Sequence, residues 1–164
     1  MSKNGCNSLN VGRSFEIWIR QVISEHVTSA SLTKYHKNPD IHFVKNNTPY
    51  LIECKCFTYH DRNGRVRHLT ISTAQIRSLK NKLRNLDGGE NKILFAVGLL
   101  FSEYDMVPFV VDMHTLLDHC HKTDDKHFVS LSWIARQPTL REWLHKEFGV
   151  VKDVALPRWN YVDC

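Results

Sequence analysis

Glycine and proline are scarce in this 164-residue sequence, at 7 and 5 copies, and no internal repeat or low-complexity tract interrupts it. That argues against a collagen-like fibre and against wholesale disorder. Long apolar runs are also missing. The longest, Ile93–Phe101, falls far short of the ~18–20 residues a membrane-spanning helix needs, so no membrane partner is expected. The start, Met1–Asn10, is polar and gives no reason to expect a secretory signal. Cysteines number five, an odd count, and reduced thiols in a cytoplasmic setting are the natural reading. No spaced C-x₂-C pairs occur, which speaks against structural zinc. Cys54 and Cys56 are expected instead to act as small core hydrophobes.

What is present fits one domain of ordinary size. Hydrophobic residues make up 42% and charged residues 24% of the chain, and the net charge is +5. The charge is unevenly spread. Residues 58–86 carry Arg62, Arg65, Arg67, Arg77, Lys80, Lys82 and Arg84 against Asp61 alone, a net of +6 that exceeds the whole chain's excess. A concentrated basic stretch is what phosphate neutralisation requires, although a merely solvated face would carry the same charges.

Periodicity predicts a helix over about Val11–His26, with Phe15, Trp18, Ile19, Val22 and Ile23 on one side. A short strand could lie within the polar stretch Thr28–Asn38. Asp40–Val44 and Tyr50–Phe57 read as strands of a hairpin turned at Asn46-Asn47, because asparagine tolerates positive φ. Thr58–His68 follows as a basic loop centred on Asn63-Gly64. Ser72 or Thr73 is expected to cap a helix reaching about Leu86, stopped by Asp87-Gly88-Gly89. Downstream, strands are expected at Lys92–Phe101, from Pro108 to Val111 and at Phe128–Trp133. Helices are expected at Met113–His121 and Thr139–Phe148. Trp133, Trp143, Phe148 and Trp159 look like packing residues of the C-terminal part. The fold class expected is α/β, a central mixed sheet flanked by helices.

The most informative stretch is Pro39-Asp40 followed, after twelve intervening residues, by Glu53-Cys54-Lys55. Strand side chains alternate, so Leu51, Glu53 and Lys55 leave one face while Ile52, Cys54 and Cys56 leave the other. Burying an acid and a base without partners is costly. Asp40, at the start of the preceding strand, supplies a second carboxylate. Two carboxylates beside a lysine make a hard, oxygen-rich site suited to Mg²⁺. The bland alternative is a structural ion pair at a sheet edge. His42 and His60 flank this site in sequence.

This arrangement resembles the PD-(D/E)XK nuclease superfamily, which includes restriction enzymes, homing endonucleases and junction resolvases. The resemblance spans about residues 11–111, with 112–164 as decoration on a single domain, and it implies a restriction-endonuclease-like core. Gly12-Arg13-Ser14-Phe15-Glu16 resembles the family's acid-bearing first helix, and Gln75 stands where several branches open a helix with glutamine. The resemblance implies Asp40, Glu53, the Cys54 backbone carbonyl and Glu16 as holders of one or two Mg²⁺ ions, with Mn²⁺ as a substitute. Lys55 would act on the attacking water, and Gln75 would orient phosphate or water. Lys34, Lys37, Arg62, Arg65, Arg67, Arg77, Lys80 and Arg84 would line the DNA backbone. The small size and the Gly-x-x-Phe-Glu helix are similar to Holliday-junction resolvases, which implies a structure-specific endonuclease working as a homodimer or homotetramer. Those proteins usually place a Ser-Gly pair before the Pro-Asp, where this chain reads Ser29-Ala30-Ser31. A homing or restriction-type endonuclease is therefore the alternative, and a catalytically inactive DNA-binding module the second.

Overall fold

The structure is a computed structural model that describes residues 8–27, 41–86, 89, 92–102 and 105–149. Thr28–Asn38 and Trp159 lie outside the described residues.

The first helix, α1, runs Ser8–His26, three residues longer at its start than periodicity predicts. Its stripe of Phe15, Trp18, Ile19, Val22 and Ile23 is buried throughout. Next come β1 (Ile41–Lys45) and β2 (Thr48–Thr58), an antiparallel hairpin in which Lys45 pairs with Thr48. The two residues between them, Asn46 and Asn47, have φ of 49° and 61°. Two left-handed residues in a row define the type I′ turn, whose twist matches that of the strands it joins.

β3 (His68–Ser72) leads directly into α2 (Thr73–Asn85). Ser72 caps that helix, its Oγ accepting from the Gln75 amide at 3.1 Å. β4 (Ile93–Ser102) is buried over its first eight residues and pairs parallel with β2, Glu53 opposite Phe95 and Lys55 opposite Val97. β5 (Asp105–Asp112) returns antiparallel beside β4. The main sheet therefore has the order β1-β2-β4-β5, mixed in direction. Pro108 sits on its edge strand, where a missing N–H costs no ladder bond.

The remaining elements are α3 (Met113–His119), β6 (His121–Thr123), β7 (Lys126–Ser130), α4 (Leu131–Ile134) and α5 (Leu140–Phe148). Two expectations from the sequence are corrected here. The run Phe128–Trp133 is not one strand: Ser130 Oγ accepts from the Ser132 amide and starts the short α4. The helix expected to reach His121 ends at His119, and β6 begins at His121. β3, too short to be read from periodicity, joins β7 and β6 in a second sheet ordered β3-β7-β6.

Two apolar clusters sandwich the main sheet. On one face α1 and α5 cover Ile52, Ala96, Leu100 and Val110. On the other, α2, α3, α4 and the second sheet cover Leu51, Phe95, Val97 and Leu99. Residues 113–144 thus contribute to both clusters. Close approach of α1 depends on Gly98, which stands opposite Cys56 in the ladder. A Cβ there would lie 2.7 Å from Phe15 Cε2. No helix among the described residues is long and apolar enough to cross a membrane.

Candidate functional site

Glu53 stands near the middle of β2, flanked by Ile52 and Cys54 on the α1 face and by Leu51 on its own. Its alternation sends the carboxylate to the α2 face, where it is 3% exposed, the one charged side chain buried among the described residues. Such a carboxylate needs donors to offset lost hydration. Gln75 Nε2 donates to Glu53 Oε1 at 2.7 Å, and Lys55 Nζ lies 3.4 Å from the same oxygen.

Gln75 reaches the carboxylate because of how α2 begins. Ser72-Thr73-Ala74-Gln75 has the spacing of a capping box, with the serine at the N-cap and the glutamine at the third helical position. Here the amide side chain is turned to Glu53 instead. The first turn of a helix also carries its positive dipole end, which favours a nearby anion. Lys55 follows Glu53 by two residues and shares its face, half-buried, with its ammonium toward the acid.

The arrangement brings together three of the residues singled out in sequence: Glu53, Lys55 and Gln75. Glu16 belongs to α1, which packs against the opposite face of the sheet, and its Oε1 accepts from Arg20 Nη2 at 2.6 Å. Asp40, Lys34 and Lys37 lie outside the described residues. Asp40 is covalently joined to Ile41, and Ile41 pairs with Ile52, the neighbour of Glu53. Among the described residues no three histidines, cysteines or acids converge on one point.

His42, opposite Leu51, leaves β1 on the Glu53 face. Its Nε2 is buried without a hydrogen-bond partner, and burial holds its pKa below the ordinary imidazole value. Across the strand, Cys54 and Cys56 pack against the α1 cluster. Burial pushes the Cys56 thiol up to about 12, so it stays protonated at neutral pH.

The basic segment sits at the far end of β2. Asp61 Oδ1 accepts from the amides of Asn63 and Arg65 at 2.8 and 2.9 Å, and Gly64 has φ of 74°. This tight tip leaves Arg62 and Arg65 exposed. Arg67 is anchored more firmly: its Nη1 donates to Thr58 Oγ1 at 2.8 Å, and its guanidinium lies 5.7 Å from the Phe57 ring centroid. Phe57 shares the parity of Glu53 and Lys55, so strand alternation extends the same face beyond the motif itself. Arg77 and Arg84 are exposed along α2, and Lys80 is half-buried.

The mixed four-stranded sheet, with α1 on one face and α2 on the other, is also found in Archaeoglobus fulgidus Hjc, a Holliday junction resolvase from an archaeal hyperthermophile. The two superpose with a TM-score of 0.59 over 87% of this chain and 99% of that one. The chain shares the fold of that structure. Sequence identity is 14%, so the likeness is one of fold. No family model matches the chain, and no curated protein matches its sequence.

Proposed function

We propose that this chain is a metal-dependent DNA endonuclease of the PD-(D/E)XK type, acting on branched DNA as a symmetric oligomer, with the whole of residues 1–164 as one nuclease domain. The observation that carries the reading is the buried Glu53 carboxylate held jointly by Lys55 and Gln75. A structural ion pair at a sheet edge would be solvated. Here the Glu53 end is set inside an apolar cluster, where burying a charge costs stability, and a role in the chemistry accounts for that cost.

The donor set suits a hard cation. Glu53 and the Cys54 carbonyl offer oxygens, and Asp40 would add a second carboxylate from the residue preceding Ile41. A bound Mg²⁺ would acidify a water and offset charge on the scissile phosphate. Glu53 supplies the anionic anchor, and the Gln75 amide fixes which of its oxygens is engaged. The Lys55 ammonium opposes negative charge as it develops and holds the attacking oxygen in place. Glu16, which α1 sets against the opposite face of the sheet and pairs with Arg20, is left out of this metal site. Arg62, Arg65, Arg67, Arg77, Lys80 and Arg84, with Lys34 and Lys37, would track the DNA backbone without reading sequence. Cutting two strands of a symmetric junction calls for two copies of the site, hence the dimer.

The test is a substrate panel of four-way junction, linear duplex and single strands, each incubated with Mg²⁺ and either wild type, Asp40→Ala or Lys55→Ala. Wild type is expected to cut the junction and both variants to leave it intact. Cutting of duplex at one sequence without junction preference would move the assignment to a homing or restriction-type enzyme. No cutting of any substrate by wild type would leave an inactive DNA-binding module.

A further inference from the structure

The second sheet has an inner and an outer face. Leu69, Ile71 and Val129 point inward and are buried in the cluster beneath. The alternate residues therefore point outward: His68, Thr70 and Ser72 from β3, Lys126, Phe128 and Ser130 from β7, and His121 and Thr123 from β6. No described element packs over them, and His68, Thr70, His121 and Thr123 are exposed. An antiparallel sheet with one wet face usually carries small polar residues there. This one carries a half-exposed phenylalanine on its central strand, between two imidazoles. His121 pairs with Phe128, their ring centroids 5.6 Å apart and 32° from parallel, and the His68 ring stands 6.0 Å away on the other side.

The charge around this face is mixed. At one end the β6–β7 turn carries Asp124 and Asp125. At the other, Leu131 N donates to the Arg67 carbonyl at 2.9 Å, so the Ser130 end of β7 adjoins Arg67. Arg67 is exposed, and its guanidinium rests over Phe57, four residues along β2 from Glu53 on the same face. Lys126 is exposed on the outer face itself, and Lys122 is exposed on β6. Beneath the sheet, burial first and then the charges of Lys122 and Lys80 hold His127 below the usual imidazole range. Cations thus stand at both ends of the aromatic centre, Arg67 at the Ser130 end and Lys126 beside the acidic turn, whose Asp125 carbonyl accepts from Thr73 N at the start of α2.

We infer that the outer face of the β3-β7-β6 sheet is a stacking platform for unpaired bases of a DNA strand, with Phe128 as its centre, His68 and His121 as its walls and Arg67 as the phosphate contact leading to Glu53. Exposed sheet aromatics flanked by cations are the general means of holding single-stranded nucleic acid, because every base offers a π-face whatever its identity. A duplex keeps its bases stacked on each other and offers this surface nothing but phosphates. The inference rests on the nuclease reading for its link to Glu53, and it gives that reading a substrate class: DNA with unpaired bases beside the cut.

The experiment is fluorescence anisotropy in EDTA with two labelled probes, an oligothymidylate of about 12 nucleotides and a blunt duplex of the same length. Phe128→Leu keeps apolar volume on the strand and removes the π-face, and Phe128→Tyr restores it. Wild type and Phe128→Tyr are expected to bind oligothymidylate alike, and Phe128→Leu roughly tenfold more weakly, with duplex affinity unchanged. Wild type that ignores oligothymidylate, or a Phe128→Leu variant that binds both probes as wild type does, would overturn the platform. So would equal weakening on both probes. Without divalent metal the result is independent of cleavage. A chain that cuts nothing yet binds oligothymidylate through Phe128 keeps the platform and loses the nuclease. A chain that cuts a junction while its single-strand affinity ignores Phe128 does the reverse.

Discussion

Two surfaces leave the same strand. On one side of β2, Ile52, Cys54 and Cys56 meet α1, and everything in reach is apolar and close-packed. On the other, Leu51, Glu53, Lys55 and Phe57 meet α2 and the second sheet, and an ion pair with an amide is set into an equally apolar cluster. The first face is optimised for packing, to the extent that β4 gives up a side chain at Gly98 to admit Phe15. The second keeps a charge where a leucine would pack better. Replacing a buried ion pair by hydrophobes is often neutral or stabilising. On the proposed function, the pair serves the chemistry of the site and not stability.

That contrast breaks most visibly under substitution on the α2 face. Lys55→Ala and Glu53→Gln are each expected to reduce Mg²⁺-dependent cleavage by roughly 10³-fold. Glu53→Gln removes the buried charge and should leave the melting temperature little changed, whereas Lys55→Ala strands the Glu53 carboxylate and should lower it. A Glu53→Gln protein that loses stability in parallel with cleavage would mean that the two faces are alike. The α1 face should respond in thiol chemistry instead. With its pKa pushed from 9.0 to about 12, the Cys56 thiol should alkylate at pH 8 roughly 10³-fold more slowly than in the unfolded chain, as peptide mapping by mass would read. The sign of the accompanying stability follows. A raised thiol pKa favours the folded state fully below pH 9, and that contribution is lost as pH rises toward 12. Cys56→Ala should flatten the fall in stability over that window.

Gly98→Ala sharpens the contrast from the packing side. The added methyl meets Phe15 at 2.7 Å, and a loss of about 1–3 kcal/mol in denaturant unfolding is expected, with the folded fraction still cleaving. The smallest effect concerns neither core face. Neutralising Arg65, Arg67 and Lys80 together should lower the slope of log affinity against log salt by about 0.9 for each phosphate that is no longer neutralised. An unchanged slope would place the DNA track elsewhere.

Local rules account for what the sequence made legible. Asn46-Asn47 announced its turn because few residues accept positive φ twice in succession. The Glu53–Lys55 face followed from strand alternation alone, and a cap at Ser72 or Thr73 from the apolar period that follows them, with Ser72 the one that serves. The second sheet stayed hidden because its pairings are distant: Leu69 finds Val129 some sixty residues on, and neither strand exceeds five residues. The run Phe128–Trp133 looked continuous because a serine within it serves a strand end and a helix cap at once. The meeting of Glu53 with Gln75 was half legible. The motif and its resemblance point to both residues, but their hydrogen bond depends on how α2 is set against β2, which no local pattern states.

The most direct test pairs two readouts on one preparation: cleavage of a four-way junction with Mg²⁺, and thermal unfolding, for wild type and Lys55→Ala. The account expects wild type to cut, and Lys55→Ala to leave the junction intact although still folded at the assay temperature, its melting temperature lowered by the stranded Glu53 charge. A Lys55→Ala protein that still cuts, or a wild type that never does, would contradict it.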